Sequence, residues 1–374
     1  MTDIHDLKIG APGPFLPPWD NALKNAKTID SLGYDSMAFP DHFAGFIPEQ
    51  IWTPDITPLA LFQQSPHTYY ELSAIMSACA AVTENVQLIS SVTEPLRRHP
   101  ILLAQTFLTL DHISRGRAVL GIGAGEIENV EPYGLNYSGQ VGKLREALEI
   151  IKMVWSTHEP FSYDGRYWKL KDAVMSLRPA EEGNPPPIWI AAMGPKMLRL
   201  AAEYGDGWIP TSLNPSSYGE SLREIQNHRK KSDKTGPFTA ALWNWCILDE
   251  DPAECDRMLN TPLAKAFALL YPGSEWKRLG YDHPFGDSFH SLTDYVPMRY
   301  DRKTTLDAME KVPLEVLQDF YMVGGTEAMI KKLEEFARQG LEHIVMWNAS
   351  GMMDLEKVRS SYKIMKEVIA YVKG

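Results

Sequence analysis

The chain has 374 residues, 44% hydrophobic and 23% charged, which is the balance of an ordinary globular protein. Its formal net charge of −11 argues against nucleic acid as a partner, because phosphate backbones need basic stripes. No run of about 18 apolar residues exists to cross a membrane, and MTDIHDLKIG lacks the basic and apolar segments of a secretion signal.

Cys79, Cys246 and Cys255 show no CxxC spacing, so neither a disulfide framework nor a zinc site is expected. They read as buried small hydrophobes in a reducing cytoplasm. No metal site is expected.

In chain order, short apolar runs alternate with longer amphipathic ones. LKIGAPG near residue 8 reads as a strand and Ala22 to Leu32 as a helix closed by Gly33. Residues 35–42 form a second strand, Glu71 to Val82 a helix, 87–95 a third strand and Ile101 to Ile113 a helix. Residues 117–126 form a fourth strand, followed by a helix from Lys143 to Val154. PIWIAAMGP is a fifth strand with a helix from Lys196 to Tyr204. DGWIPTS is a sixth, with a helix to about Lys231. FTAALWNWCIL is a seventh, and residues 342–350 an eighth before a closing helix from Asp354 to Val372.

Strands alternating with such helices imply a parallel sheet, and eight units imply a closed (β/α)8 TIM barrel. Division by ~150 residues per domain would suggest two domains, but barrels of this class often exceed about 250 residues as one. A single domain over 1–374 is therefore expected. Two insertions stand outside it: Ala44 to Thr68 after strand two, rich in proline and aromatic residues, and roughly 256–320 before strand eight. Loops this long usually cover or build a site.

A barrel places its site at the C-terminal strand ends. Strand two ends in Pro40-Asp41-His42-Phe43, a carboxylate beside an imidazole that suits proton transfer, although the dipeptide alone fits an ordinary loop histidine better. Strand three ends in Ser90-Ser91-Val92-Thr93-Glu94-Pro95, whose hydroxyls could serve a ligand or a turn. Strand four ends in Gly121-Ile122-Gly123-Ala124-Gly125-Glu126. Alternate glycines mean that something approaches this backbone closely. The spacing is not G-x-G-x-x-G. Glu126 could act as a general acid if buried, or could cap a helix. Strand five ends in Met193-Gly194-Pro195, where a helix start leaves N–H groups free for phosphate. Each signal is modest, but their succession at strand ends is far less expected by chance.

These motifs, with GRAVLGIGAGE at 116–126, AAMGP at 191–195 and YGDGWIPTS at 204–212, resemble in order and spacing the bacterial-luciferase-like superfamily of flavin and deazaflavin barrels. GAGEIENVEPYG at 123–134 is similar to members using coenzyme F420, in particular the phthiodiolone ketoreductase-like subgroup. So are His283-Pro284-Phe285-Gly286, Val296-Pro297 and Lys311-Val312-Pro313.

The resemblance implies an oxidoreductase that passes hydride between deazaflavin C5 and a carbonyl or alcohol carbon. Asp41, His42 and Glu126 would be catalytic. Asp41, Ser91, Val92, Thr93, Asn129, Met193 and Gly194 would contact the coenzyme, with a cis peptide at Ser91-Val92. Sugar-phosphate-oxidising members carry an indole after the DHF motif and a lysine after the Thr-Ser of strand six. Ala44-Gly45-Phe46 and Leu213-Asn214-Pro215 stand there instead, and Phe46, Ile47, Ile51 and Trp52 suit a small hydrophobic or ring-bearing substrate. The alternatives are an FMN-dependent monooxygenase, a methylene-pterin reductase, or a barrel that binds coenzyme without turnover. A homodimer is the default assembly.

Overall fold

AVLGI and IWI are apolar at every position because a parallel barrel strand is buried on both faces, by the barrel interior and by the helix layer. The structure, a computed structural model, describes residues 2–374. Four strands lie side by side: β1 (Lys8–Pro12), β2 (Ser36–Phe39), β3 (Gln87–Ser90) and β4 (Ala118–Ile122). β5 (Phe161–Asp164) and β6 (Lys169–Ala173) form a separate antiparallel hairpin. β7 (Ile188–Ile190), β8 (Gly207–Trp208) and β9 (Thr239–Ile247) continue the parallel order. β10 (Met322–Val323) pairs with the end of β9, and β11 (His343–Asn348) lies between β9 and β1. Lys8 opposite His343 closes the ring, so the eight-stranded parallel barrel expected from the alternation is the observed architecture.

Inside the barrel, Ala38, Ile89, Val119, Trp189, Ala241 and Val345 interdigitate. Outside it, helices such as Leu72–Val82, Pro100–Ser114 and Gln140–Ser156 bury one face each against the strands. Side chains satisfy several helix starts: Glu71 accepts from the Ala74 N–H and Asn214 from the Ser217 N–H.

The two insertions meet above the barrel. The segment after β2 holds two short 3-10 turns, Glu49–Ile51 and Pro58–Leu61. Before β10, six short helices run from Pro252–Leu259 to Leu314–Phe320. Ile47, Ile51, Trp52, Leu263, Trp276 and Phe320 share one apolar cluster, so both insertions form a single cap. Ile51 is fully buried in that cluster rather than facing the cavity, whereas Phe46, Ile47 and Trp52 line it.

Several strands are shorter than expected. The third stops at Ser90 rather than 95, because the chain turns at a cis Ser91-Val92 peptide, and the fourth stops at Ile122. The hairpin β5–β6, β10 and the helix Thr326–Arg338 are additions to the expected elements.

Candidate active site

A cavity of about 1030 Å³ opens at the C-terminal strand ends beneath the cap. Asp41 and His42 follow the end of β2, and both line the cavity. Asp41 is buried and paired with Arg97 (3.0 Å) and with both terminal guanidinium nitrogens of Arg98, and it accepts from the Thr93 hydroxyl (2.7 Å). Arg97 also pairs with Glu94, and Arg98 with Glu71. The result is a lattice of fixed charges that locks the β2 and β3 loops together.

His42 belongs to a different network. The side-chain oxygen of Asn129 accepts from the Phe43 N–H (2.7 Å) and the Ala44 N–H (3.1 Å). That fixes the amide orientation, so the nitrogen of Asn129 is the donor toward His42 Nδ1 (2.8 Å) and Glu126 (3.1 Å). A neutral His42 that accepts at Nδ1 carries its proton on Nε2. Nε2 has no protein partner and is not sealed from the cavity that His42 lines. Glu126 lies 3.3 Å from Nδ1. Phe46 and Tyr69 pack on the imidazole at 5.1 and 5.3 Å between ring centroids.

Ser91, Val92, Met193 and Gly194 line the cavity, as expected from the strand ends. Gly194 caps the helix Pro195–Tyr204 with no side chain, and nothing lies within 4 Å of where its Cβ would be. A ligand can therefore reach the free N–H groups of that first turn. Thr93 and Asn129 line the cavity as well. Both are buried, and their polar atoms are spent on Asp41 and on the His42 network respectively.

The close approach expected at the glycines of strand four comes from the neighbouring segment of the chain. A Cβ on Gly121 would sit 1.8 Å from the Ser90 carbonyl oxygen, and one on Gly123 would sit 3.0 Å from Val92 Cγ2. The end of β3 and the turn after it close on this strand, while Gly123 and Gly125 also line the cavity.

Sequence reasoning missed Glu128, fully buried beside Asn129, and the arginines that hold Asp41. It also missed an aromatic wall. Trp243 and Trp245 alternate on one face of β9, and Trp347 is the direct partner of Trp245 on β11. Their rings lie 4.9 to 5.4 Å apart, and Trp347 meets Phe15 at 5.4 Å. The signal was present as W-x-W, since a strand points alternate residues to one side. Arg97, already paired, is the one arginine or lysine among the cavity-lining residues.

A parallel (β/α)8 barrel with a capped, aromatic-walled cavity and a His–Glu–Asn network at its strand ends defines a small-molecule enzyme class. The chain belongs to the luciferase-like monooxygenase family, which it matches over residues 4–343. It is 32% identical over 340 residues to the phthiodiolone/phenolphthiodiolone dimycocerosates ketoreductase of Mycobacterium tuberculosis (strain ATCC 25618 / H37Rv), covering 90% of this chain and 89% of that protein. It is 27% identical over 303 residues to the 5,10-methylenetetrahydromethanopterin reductase of Archaeoglobus fulgidus, covering 80% of this chain and 87% of that one. The solved F420-dependent secondary alcohol dehydrogenase, in complex with an F420-acetone adduct, shares the fold. It aligns with a TM-score of 0.76 and 24% identity over 98% of this chain and 99% of that one.

Proposed function

We propose that the protein is an F420-dependent oxidoreductase of ketoreductase or alcohol-dehydrogenase type, acting on an uncharged, hydrophobic or ring-bearing carbonyl compound. The observation that carries this reading is the His42–Glu126–Asn129 network, which aims an Nε2–H donor into an apolar cavity. The ketoreductase relatives and the dehydrogenase sharing the fold support the same chemistry.

The cavity suits a deazaflavin. It is large, mostly apolar, and ends at a glycine-capped helix start that can meet a phosphate-bearing chain. When bound, this coenzyme supplies or accepts a hydride at C5, as a nicotinamide does. Ser91 and Val92 would support its ring, and Met193 and Gly194 would flank it. The Asp41–Arg97–Arg98 lattice keeps the loop carrying His42 in place. We assign Asp41 this positioning role and assign the proton chemistry to His42 and Glu126.

In the direction of ketone reduction, Nε2–H donates its proton to the substrate oxygen. Nδ1 takes a proton from Glu126, so the imidazole ends neutral in its other tautomer. Asn129, which already donates to Glu126, stays on the carboxylate that has gained charge. The tryptophan wall holds a flat or apolar substrate and excludes water, and the lack of a free cation disfavours a phosphorylated one.

Among the described residues, no helix is long and apolar enough to cross a membrane. Three buried free cysteines fit a reducing cytoplasm, and a homodimer is the assembly we infer. Fluorescence titration of apo-protein with F420 and with FMN tests the coenzyme. F420 should saturate one site per chain and FMN should not. Stoichiometric FMN with no affinity for F420 would overturn the assignment in favour of a monooxygenase.

A further inference from the structure

Glu128 is a buried carboxyl group that the mechanism above does not use. The turn Ile127–Asn129 folds it inward, fully buried. One carboxyl oxygen lies 3.4 Å from the Asn129 amide nitrogen, and the other has no partner. One ring nitrogen of His42 and one carboxyl oxygen each of Glu126 and Glu128 all lie within 4.8 Å of one another.

The charges nearby do not neutralise two carboxylates. Arg97, the cation that acts on Glu128, is already committed to Asp41 and Glu94, and Arg98 to Asp41 and Glu71. The hydroxyls of Tyr69, Tyr137 and Tyr295 face the cluster and remain protonated, because burial pushes each of them up. Tyr133, at the end of the same loop, is shifted the same way. Asp294, on the short helix packed against this turn, accepts from the His290 backbone N–H. Two carboxylates this close, one of them fully buried, do not both ionise. A proton must reside in the cluster. On His42 Nδ1 it would face the Asn129 donor, so the carboxyl pair is the better place for it.

We propose that Glu128 is a positioning residue that shares one proton with Glu126, storing out of solvent the proton that Glu126 passes through His42 to the substrate. Burial first, and the charge of Glu126 second, push the Glu128 carboxyl well above the usual carboxylate range, which agrees with this role.

The inference rests on the proton-transfer roles given to His42 and Glu126 above. In reduction, hydride from the reduced deazaflavin forms the new C–H bond, and the carbonyl π pair moves to oxygen. Oxygen takes the Nε2 proton and Nδ1 takes the proton of the pair. The doubly ionised pair then recovers a proton from water at Glu126, which is one-quarter exposed. Oxidation runs the same path in reverse.

Isotope-edited infrared difference spectroscopy on apo-protein tests the shared proton without coenzyme or substrate. At neutral pH the wild type should show the C=O stretch of one buried glutamic acid, which Glu128→Gln removes. Absence of that band, an imidazolium at His42 by nitrogen NMR, or a stoichiometric divalent metal in the purified protein would each overturn the proposal. The pH–rate profile supplies a second readout, with reduced F420 and acetophenone as probes. In Glu128→Gln the alkaline limb of reduction should move to lower pH by about one unit or more, because the upper titration step of the pair is gone. An unchanged limb contradicts the storage role. A protein that binds no F420 sinks the functional reading instead, and the infrared band of the wild type still decides the shared proton.

Discussion

Asp41 and His42 are neighbours in sequence, yet the geometry gives them separate work. Both line the cavity, but Asp41 is anchored in a lattice of arginines, while His42 leaves Nε2 without a protein partner. His42→Ala and Glu126→Gln should therefore lower kcat by about a hundred- to ten-thousand-fold, the usual contribution of a general acid–base group, and leave the unfolding midpoint unchanged. Asp41→Ala should cost about 3–5 kcal/mol, since it removes the buried carboxylate that two guanidinium groups share and leaves Arg97 only Glu94 and Arg98 only Glu71. Urea unfolding beside steady-state kinetics separates the two cases, and a fully stable Asp41→Ala without turnover would return Asp41 to the chemistry. The motifs at the strand ends were legible as motifs. Glu128 was not, because a charged residue in a polar loop reads as solvated until tertiary packing buries it. The partners of Thr93 and Asn129 were hidden for the same reason, lying 52 and 87 residues away.

Two histidines outside the site bear on pH stability. His343 is buried on β11, hydrogen-bonded to Ser36 (2.7 Å), and burial pushes it down to about 3. Burial pushes His283 down to about 4. Both stay neutral in the fold but take a proton near 6.5 when unfolded. Their contribution is whole above about pH 6.5 and is lost as the pH falls toward the folded values. At pH 5 each should cost ~2 kcal/mol. Urea midpoints at neutral pH and at pH 5 measure the loss, and His343→Asn should flatten about half of it. An equal slope in the variant would contradict the assignment.

The barrel elements were legible because buried parallel strands are short apolar runs and their helices are amphipathic. The β5–β6 hairpin was not, because Phe161 and Tyr163 alternate with Ser162 and Asp164 over only four residues and β6 adds little more than Leu170, too short a run to stand out. The helix Thr326–Arg338 was readable and passed over. Met329, Leu333, Phe336 and Ala337 bury one face of it at helical spacing. The cap helices were read as one insertion because each is under nine residues, too short to display a period. Their stability comes from shared packing around Trp276, which is fully buried. Trp276→Ala should cost about 3–5 kcal/mol and raise KM for a hydrophobic ketone. Calorimetry and kinetics check it, and a variant with wild-type stability would show that the cap is held otherwise.

At the scale of the whole molecule, the barrel and the cap meet where function needs them to. Trp245 and Ile247 of β9 belong to the same apolar cluster as the cap, so the strand that builds the tryptophan wall also holds the lid on. This continuity is why we treat residues 1–374 as one domain. Arg97, already paired, is the one arginine or lysine among the residues that line the cavity, which favours an uncharged substrate. The central claim is hydride transfer through a deazaflavin to a carbonyl carbon, and one measurement tests it most directly. Apo-protein is mixed with F420 reduced with deuterium at C5 and with acetophenone, and the carbinol is analysed by mass spectrometry. The account predicts oxidised F420 and deuterium on the carbinol carbon in equal amounts. F420 left reduced, while reduced FMN and oxygen yield an oxygenated product from the same ketone, would contradict it.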